Sequence, residues 1–140
     1  MSATILASAP TLGDTTAAKR RAGRVLGGIA ALFLTFDTVI KVAGVKEAVE
    51  GTVQLGYQPH HLPIIAVIEV VLLVLYLVPR TAPLGALLWT GYLGGAVATH
   101  FRLDNPLFSH VLFPIYVAAL LWGGLYLRDA RVRAALGARR

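Results

Sequence analysis

The chain has no cysteine, one methionine and few charges, with 14% of its 140 residues being Asp, Glu, Lys or Arg. Without a thiol, disulfide relay chemistry within the chain and cysteine ligation of a metal are excluded. The scarcity of charge beside 56% hydrophobic residues excludes an ordinary soluble domain. A mean hydropathy of +0.69 places the chain among integral membrane proteins instead. Also missing is a sustained apolar stretch ahead of the first basic group. Residues 1–23, rich in Ala, Thr and Ser, therefore read as a disordered cytoplasmic tail rather than a cleaved signal peptide, and the first span is expected to act as its own targeting signal.

What the chain does have is four apolar runs. A span needs roughly 20 residues to cross about 30 Å of hydrocarbon. The runs Val25–Val45, Leu62–Val78, Ala82–Phe101 and Leu107–Leu127 each meet that length to within a turn. The expected fold is all-α: a bundle of four transmembrane helices in a membrane domain spanning residues 24–129, followed by a basic cytoplasmic tail over residues 130–140. Between the first two spans, Val45, Ala48, Val49, Thr52 and Val53 share one helical face and Lys46, Glu47 and Glu50 the other. That pattern predicts a short helix lying in the interface.

The net charge of +6 does not point to nucleic acid, because its positive residues flank the spans. Lys19, Arg20, Arg21 and Arg24 precede the first span, Arg80 lies between the second and third, and Arg128, Arg131, Arg133, Arg139 and Arg140 follow the fourth. The opposite loops are nearly balanced, with Lys46 against Glu47 and Glu50, and Arg102 against Asp104. The positive-inside rule then predicts an N-in, C-in topology in a bacterial-type cytoplasmic (inner) membrane. Small residues at Gly27-Gly28, Gly91-x-x-x-Gly95 and Ala119-x-x-x-Gly123-Gly124 read as helix-packing positions.

The functional lead is the polar residues inside the spans. A charge in the hydrocarbon core costs about 2.5–3.5 kcal/mol on insertion scales, so Asp37, Lys41 and Glu69 are expected to face a partner or a wet cavity. Asp37 and Lys41 are spaced i, i+4 and can pair. His100 closes the third span and His110 opens the fourth. With the alternating topology, all five fall in one half of the bilayer, the outer one. Asp37, Glu69, His100 and His110 are the candidate catalytic or proton-exchanging groups. Lys41, Tyr76, Tyr92 and Thr99 are the candidate ligand contacts, Tyr76 because it shares a face with Glu69, and Tyr92 and Thr99 because they lie near the face of His100. No metal-ligand spacing is present, so no metal is assigned. Pro114 leaves open whether the two histidines meet or part.

Three stretches carry a family resemblance: Gly91-Tyr-Leu-Gly-Gly-Ala-Val-Ala-Thr-His100, Asn105-Pro-Leu-Phe-Ser-His110 and Leu121-Trp-Gly-Gly-Leu-Tyr-Leu-Arg-Asp129. With Phe36-Asp-Thr-Val-Ile-Lys41, Ile68-Glu69 and Tyr76-Leu-Val-Pro-Arg-Thr81, they resemble the DoxX-like membrane proteins over residues 24–129. The resemblance implies a four-helix membrane bundle and an association with membrane redox systems, the wider group taking its name from a subunit linked to thiosulfate:quinone oxidoreduction. It supplies no catalytic set, and the absence of cysteine argues against direct thiol chemistry in this chain alone.

Three functions follow as expectations. The first is a binding or accessory subunit whose outer-half pocket takes a small lipophilic ligand with a polar head, such as a quinone, in support of a partner oxidoreductase. The second is an acid–base enzyme, an isomerase, cyclase or epoxide-opening enzyme, acting on a lipophilic substrate. The third is a small transporter, which the lack of a visible inverted repeat disfavours. The sequence names no cofactor. Its expected partners are the lipid bilayer, the lipophilic ligand, and either an oxidoreductase subunit or a second copy of the chain, with no nucleic acid among them.

Overall fold

The computed structural model describes the backbone of residues 12–137 and the side chains from Thr16 onward within that range. Among the described residues the chain is helical throughout, without strands: α1 (Leu12–Val42), α2 (Lys46–Gln54), α3 (Leu62–Leu77), α4 (Ala82–Arg102), α5 (Phe113–Arg128) and α6 (Ala130–Ala135). A 3₁₀ turn over Pro59–His61 leads into α3, and a π-turn over Leu107–Val111 leads into α5.

Helix boundaries follow local chemistry. Gly44 at φ +62° ends α1, a conformation a side chain resists, so the helix stops three residues before the expected Val45. Pro63, Pro83 and Pro114 each sit in the first turn of α3, α4 and α5, where a missing amide hydrogen leaves no bond unmade. Pro114 therefore starts a helix instead of bending one.

Three helical stretches are long and apolar enough to cross a membrane: Thr16–Val42, Pro59–Leu77 and Leu107–Arg128. The fourth long helix, α4, has the length but is diluted by Thr, Tyr, Trp, Gly and His along its 21 residues. α1 packs on α3 and α5, and α4 also packs on α3 and α5, so the four long helices close a ring. The interior holds Leu34, Leu72, Tyr76, Trp89, Leu121 and Leu125, while Leu32, Phe36, Val67 and Leu87 point outward and exposed, the inside-out pattern of a bundle solvated by lipid.

Close approach is concentrated where α1 crosses α5. A Cβ at Gly124 would stand 2.6 Å from the amide nitrogen of Gly27, and one at Gly23 would stand 2.8 Å from the Gly124 carbonyl oxygen. The two backbones thus touch with nothing between them. Gly91, Gly94 and Gly95, which the sequence presents as packing positions, have open space where a Cβ would lie. Their spacing clears a wall rather than joining two helices.

The expected disordered tail over residues 1–23 needs correction. From Leu12 the backbone is already helical, so residues 12–23 extend α1, and Gly23 docks on the C-terminal turn of α5. In this segment residues 16–22 are exposed, and only Gly23 among the described ones is buried. Residues 1–11 and the terminal Arg139 and Arg140 lie outside the described residues. In the basic C-terminal segment, α6 is capped by Asp129, whose carboxylate accepts the Arg131 amide hydrogen at 2.9 Å.

The ring brings the basic segments together. The Arg131 guanidinium donates to the Pro79 carbonyl at 2.7 Å, joining the α5–α6 junction to the α3–α4 turn beside Arg80. At the opposite end lie α2, the 3₁₀ turn and the loop after α4, fastened by Arg102 donating to the Leu55 carbonyl at 3.1 Å.

Candidate functional site

At the α2 end, three helices contribute to one polar network. Asp37 and Lys41 lie one turn apart on α1, and the Lys41 ammonium reaches Asp37 Oδ2 at 2.6 Å and Glu69 Oε1 of α3 at 2.5 Å. Tyr92 of α4 donates its hydroxyl to the same Glu69 oxygen. Glu69 is fully buried and Lys41 and Asp37 are half-buried, so the sharing of one ammonium by two carboxylates meets the demand that charge at this depth be compensated. Two carboxylates face one cation. The cluster can therefore take up one proton and still keep its ion pair. Among the described residues Glu69 Oε2 has no hydrogen-bond partner, and neither do Thr38 Oγ1 and Trp89 Nε1.

Two cavities flank this network. The first, about 260 Å³, is mostly apolar and is bounded by Ile65, Leu55, Ala96 and the bare backbone of Gly91 and Gly95. Its polar contacts are Lys41, Tyr92, Tyr57, Thr52 and Thr99, with Tyr57 and Thr99 hydroxyls 3.4 Å apart. The second, about 370 Å³, is lined by Asp37, Lys41, Glu47, His100, Asn105 and His110, among others. Lys41, Thr52 and Leu55 border both, so the floor of α2 separates them.

The two histidines meet. Their rings stand edge to face with centroids 5.8 Å apart. The π-turn produces this: Val111 and Leu112 donate to the carbonyls five residues earlier, at 3.2 and 2.9 Å, and the widened turn carries His110 toward the end of α4. Asn105 donates its side-chain amide to His100 Nδ1 at 2.9 Å, which places the neutral ring's proton on Nε2. Ser109 hydroxyl lies 2.8 Å from His110 Nδ1. No group of three or more His, Asp or Glu side chains converges with metal-binding geometry among the described residues.

Of the residues singled out in the sequence, Asp37, Lys41, Glu69 and Tyr92 form one bonded network, while Thr99, His100 and His110 line the cavities beside it. Tyr76 does not join them. It is buried at the basic end, donating to the Leu121 carbonyl at 3.4 Å beneath the Arg128 guanidinium, 5.4 Å above its ring. Glu69 and Tyr76 share a face but stand two turns apart, about 10 Å along the axis, so a shared face is not a shared level. The sequence reading missed Tyr57, Thr52 and Asn105. All three arrive from α2 or from loops, where periodicity gives no direction; the one usable signal was Thr52 on the apolar face of α2.

Comparison with known proteins adds a family. No curated protein and no solved structure matches the chain. The model of the DoxX-like family matches residues 25–124, a stretch that begins on α1 just past its basic segment, contains the whole Asp37–Lys41–Glu69–Tyr92 network and both histidines, and ends at the α1–α5 contact glycine. The chain, with its apolar membrane-crossing helices, belongs to the DoxX-like family.

Proposed function

We propose that this protein crosses a bacterial-type inner membrane four times, N-in and C-in, and that a pocket in its outer half binds the polar head of a small lipophilic ligand, a quinone by preference, as an accessory subunit of a membrane redox system. α4 serves as the fourth span: its 21 residues extend about 31 Å, and its polar groups are engaged within the bundle, Thr90 accepting from the Trp122 indole at 2.8 Å and Tyr92 bonding Glu69. The gathering of Arg24, Arg128 and Arg131 around the α3–α4 turn supports placing that end in the cytoplasm.

One observation carries the ligand assignment. Lys41 and Tyr92, tied to each other through Glu69, present an ammonium and a phenol ring to a cavity that is mostly apolar, carries the hydroxyls of Tyr57, Thr52 and Thr99 besides, and is opened by glycine. A volume of about 260 Å³ is small beside pockets for drug-sized ligands and suits a ring with a tail left in the bilayer. The third ammonium hydrogen of Lys41, which neither carboxylate takes, suits a quinone carbonyl oxygen, and two carboxylates sharing one ammonium suit a ligand that takes up protons on reduction.

Trp89 provides the readout, since its ring stacks edge-on against Tyr92 at 5.3 Å. A short-chain quinone should quench Trp89 saturably in the purified protein and raise its Tm, and Gly91→Leu, which fills the cavity wall, should abolish both. A folded wild type that shows only linear, non-saturating quenching would refute the assignment. The acid–base enzyme reading is favoured by a different observation, the facing of Asp37, His100 and His110 across one cavity. It predicts that a bound lipophile is recovered chemically changed, where the binding reading predicts it intact.

A further inference from the structure

The opposite end of the bundle holds a third cavity of about 310 Å³ between α1, α3, α5 and α6, lined by Arg24, Tyr76, Pro79, Arg128, Asp129 and Arg131, among others. Counted along α1 from Lys41 to Arg24, it lies about 25 Å from the pocket described above. Three guanidinium groups and one carboxylate face it, leaving two positive charges uncompensated. Arg131 holds Asp129 through Nη2 at 2.7 Å and through Nε at 3.2 Å. Among the described residues no carboxylate pairs with Arg24 or Arg128, and the half-buried Arg128 is positioned over the Tyr76 ring instead.

A groove adjoins this cavity across Arg131. It is almost wholly apolar, about 400 Å³, and is walled by Leu84, Leu87, Trp122, Val132 and Leu136. Leu84, Leu87 and Leu136 are 49%, 59% and 63% exposed, so the groove opens toward the bilayer. Arg131 thus stands at the junction of a cationic hollow and an apolar channel, both at the level where the long helices end.

We propose that this junction is a binding site for an anionic phospholipid, its phosphodiester held by Arg24 and Arg128 and one acyl chain lying in the groove of α4, α5 and α6. Guanidinium forks suit phosphate oxygens, and Arg128 is already ordered by Tyr76 and Gly27, where a Cβ would come 3.5 Å from its Cζ. A soluble phosphate or nucleotide would leave the apolar channel unfilled, and a neutral lipid would leave the two charges unmatched. Basic hollows between helices at a membrane surface recognise lipid headgroups in this way. All three arginines lie outside the family-matched residues 25–124, while Tyr76 and the groove residues Leu84, Leu87 and Trp122 lie within them.

The test uses the full chain in a mild detergent, with phosphatidylglycerol, phosphatidylcholine of identical acyl chains, and inorganic phosphate as probes, binding being read by native mass spectrometry and by Tm. Phosphatidylglycerol should bind saturably and raise the Tm, phosphatidylcholine should bind at least about tenfold more weakly, and phosphate alone should do neither. Arg24→Gln/Arg128→Gln should weaken phosphatidylglycerol by about fivefold per arginine removed. The charge-matched Lys19→Gln/Arg20→Gln, at the same end but outside the cavity, should leave it unchanged. Equal binding of the two lipids, a phosphate effect as large as the lipid's, or an equal loss in both double variants would each overturn the proposal. The two-lipid comparison on wild type decides the matter even where a variant does not fold.

Discussion

Lys41→Met removes one ammonium from between two carboxylates and keeps the length of the side chain. Glu69 is fully buried, so its charge would be left with only the Tyr92 hydroxyl as donor, while Asp37, whose side chain is 30% exposed, borders the cavity lined by His100, Asn105 and His110. Breaking a buried pair by removing one partner costs about 3–5 kcal/mol, and the uncompensated Glu69 puts this substitution at that level. Asp37→Asn should cost much less, about 1 kcal/mol or below, because Lys41 keeps Glu69 and the lost charge is the less buried of the two carboxylates. The double variant Lys41→Met/Glu69→Gln removes both charges of the buried pair and should recover about half or more of the single-variant loss. Reversible unfolding in mixed micelles, followed by helical circular dichroism, measures all three. Equal and small losses for Lys41→Met and Asp37→Asn, with no recovery in the double variant, would refute the idea that Glu69 depends on Lys41.

Other consequences are checked separately. Gly124→Ala forces the α1 and α5 backbones apart, since the added carbon would stand 2.6 Å from Gly27 nitrogen, and should destabilise by about 1–3 kcal/mol in the same unfolding assay. Gly91→Ala, which meets nothing within 4 Å, should unfold with wild type to within about 0.5 kcal/mol. Because the chain has no native cysteine, Lys46→Cys should react with an impermeant maleimide applied outside whole cells and Arg133→Cys only after lysis, if the topology is N-in and C-in. The side-chain hydrogen bond from Arg131 holds the Asp129 carboxyl below its usual value of about 3.8. A group depressed in the folded state contributes stability that is complete above its unfolded value and lost as pH falls through the folded one, so α6 amides should stay protected from deuterium exchange at neutral pH and lose protection only in strong acid, whereas Asp129→Ala, which removes the acceptor, should lose it throughout.

Three of the four expected spans coincide with helices long and apolar enough to cross, legible because apolar runs of helical length have few alternatives in a membrane, while α4 has the length without the apolarity. The start of α3 was legible because Pro63 marks its first turn, whereas Pro114, read as a possible bend, marks the first turn of α5. Legibility failed at α6, which carries no strong local signal and whose Arg131 reaches the Pro79 carbonyl, and at residues 12–23, which continue α1 although only Gly23 among the described ones is buried. Of the candidate site, Asp37 and Lys41 could be paired from their spacing, and Glu69 assigned a cross-helix partner because its own helix offers none. Tyr76 misled, since helical periodicity reports direction and not depth. The glycines at 91 and 95 misled for a related reason: the pattern that lets two helices touch also leaves room for something else, and only the position of α2 and Tyr57 distinguishes the two outcomes. The meeting of His100 and His110 depends on a π-turn that no residue pattern in Leu107–Val111 announces.

The most direct test of the account is to purify the chain gently from its native membrane and identify co-purifying small molecules by mass spectrometry, comparing wild type with Gly91→Leu and Glu69→Gln. The account predicts a lipophile with a carbonyl-bearing head, a quinone, at near-stoichiometric amount in wild type and lost from both variants while the bundle stays folded. A lipophile retained equally in all three, or a folded wild type that carries none and takes up none when quinone is supplied, would contradict it.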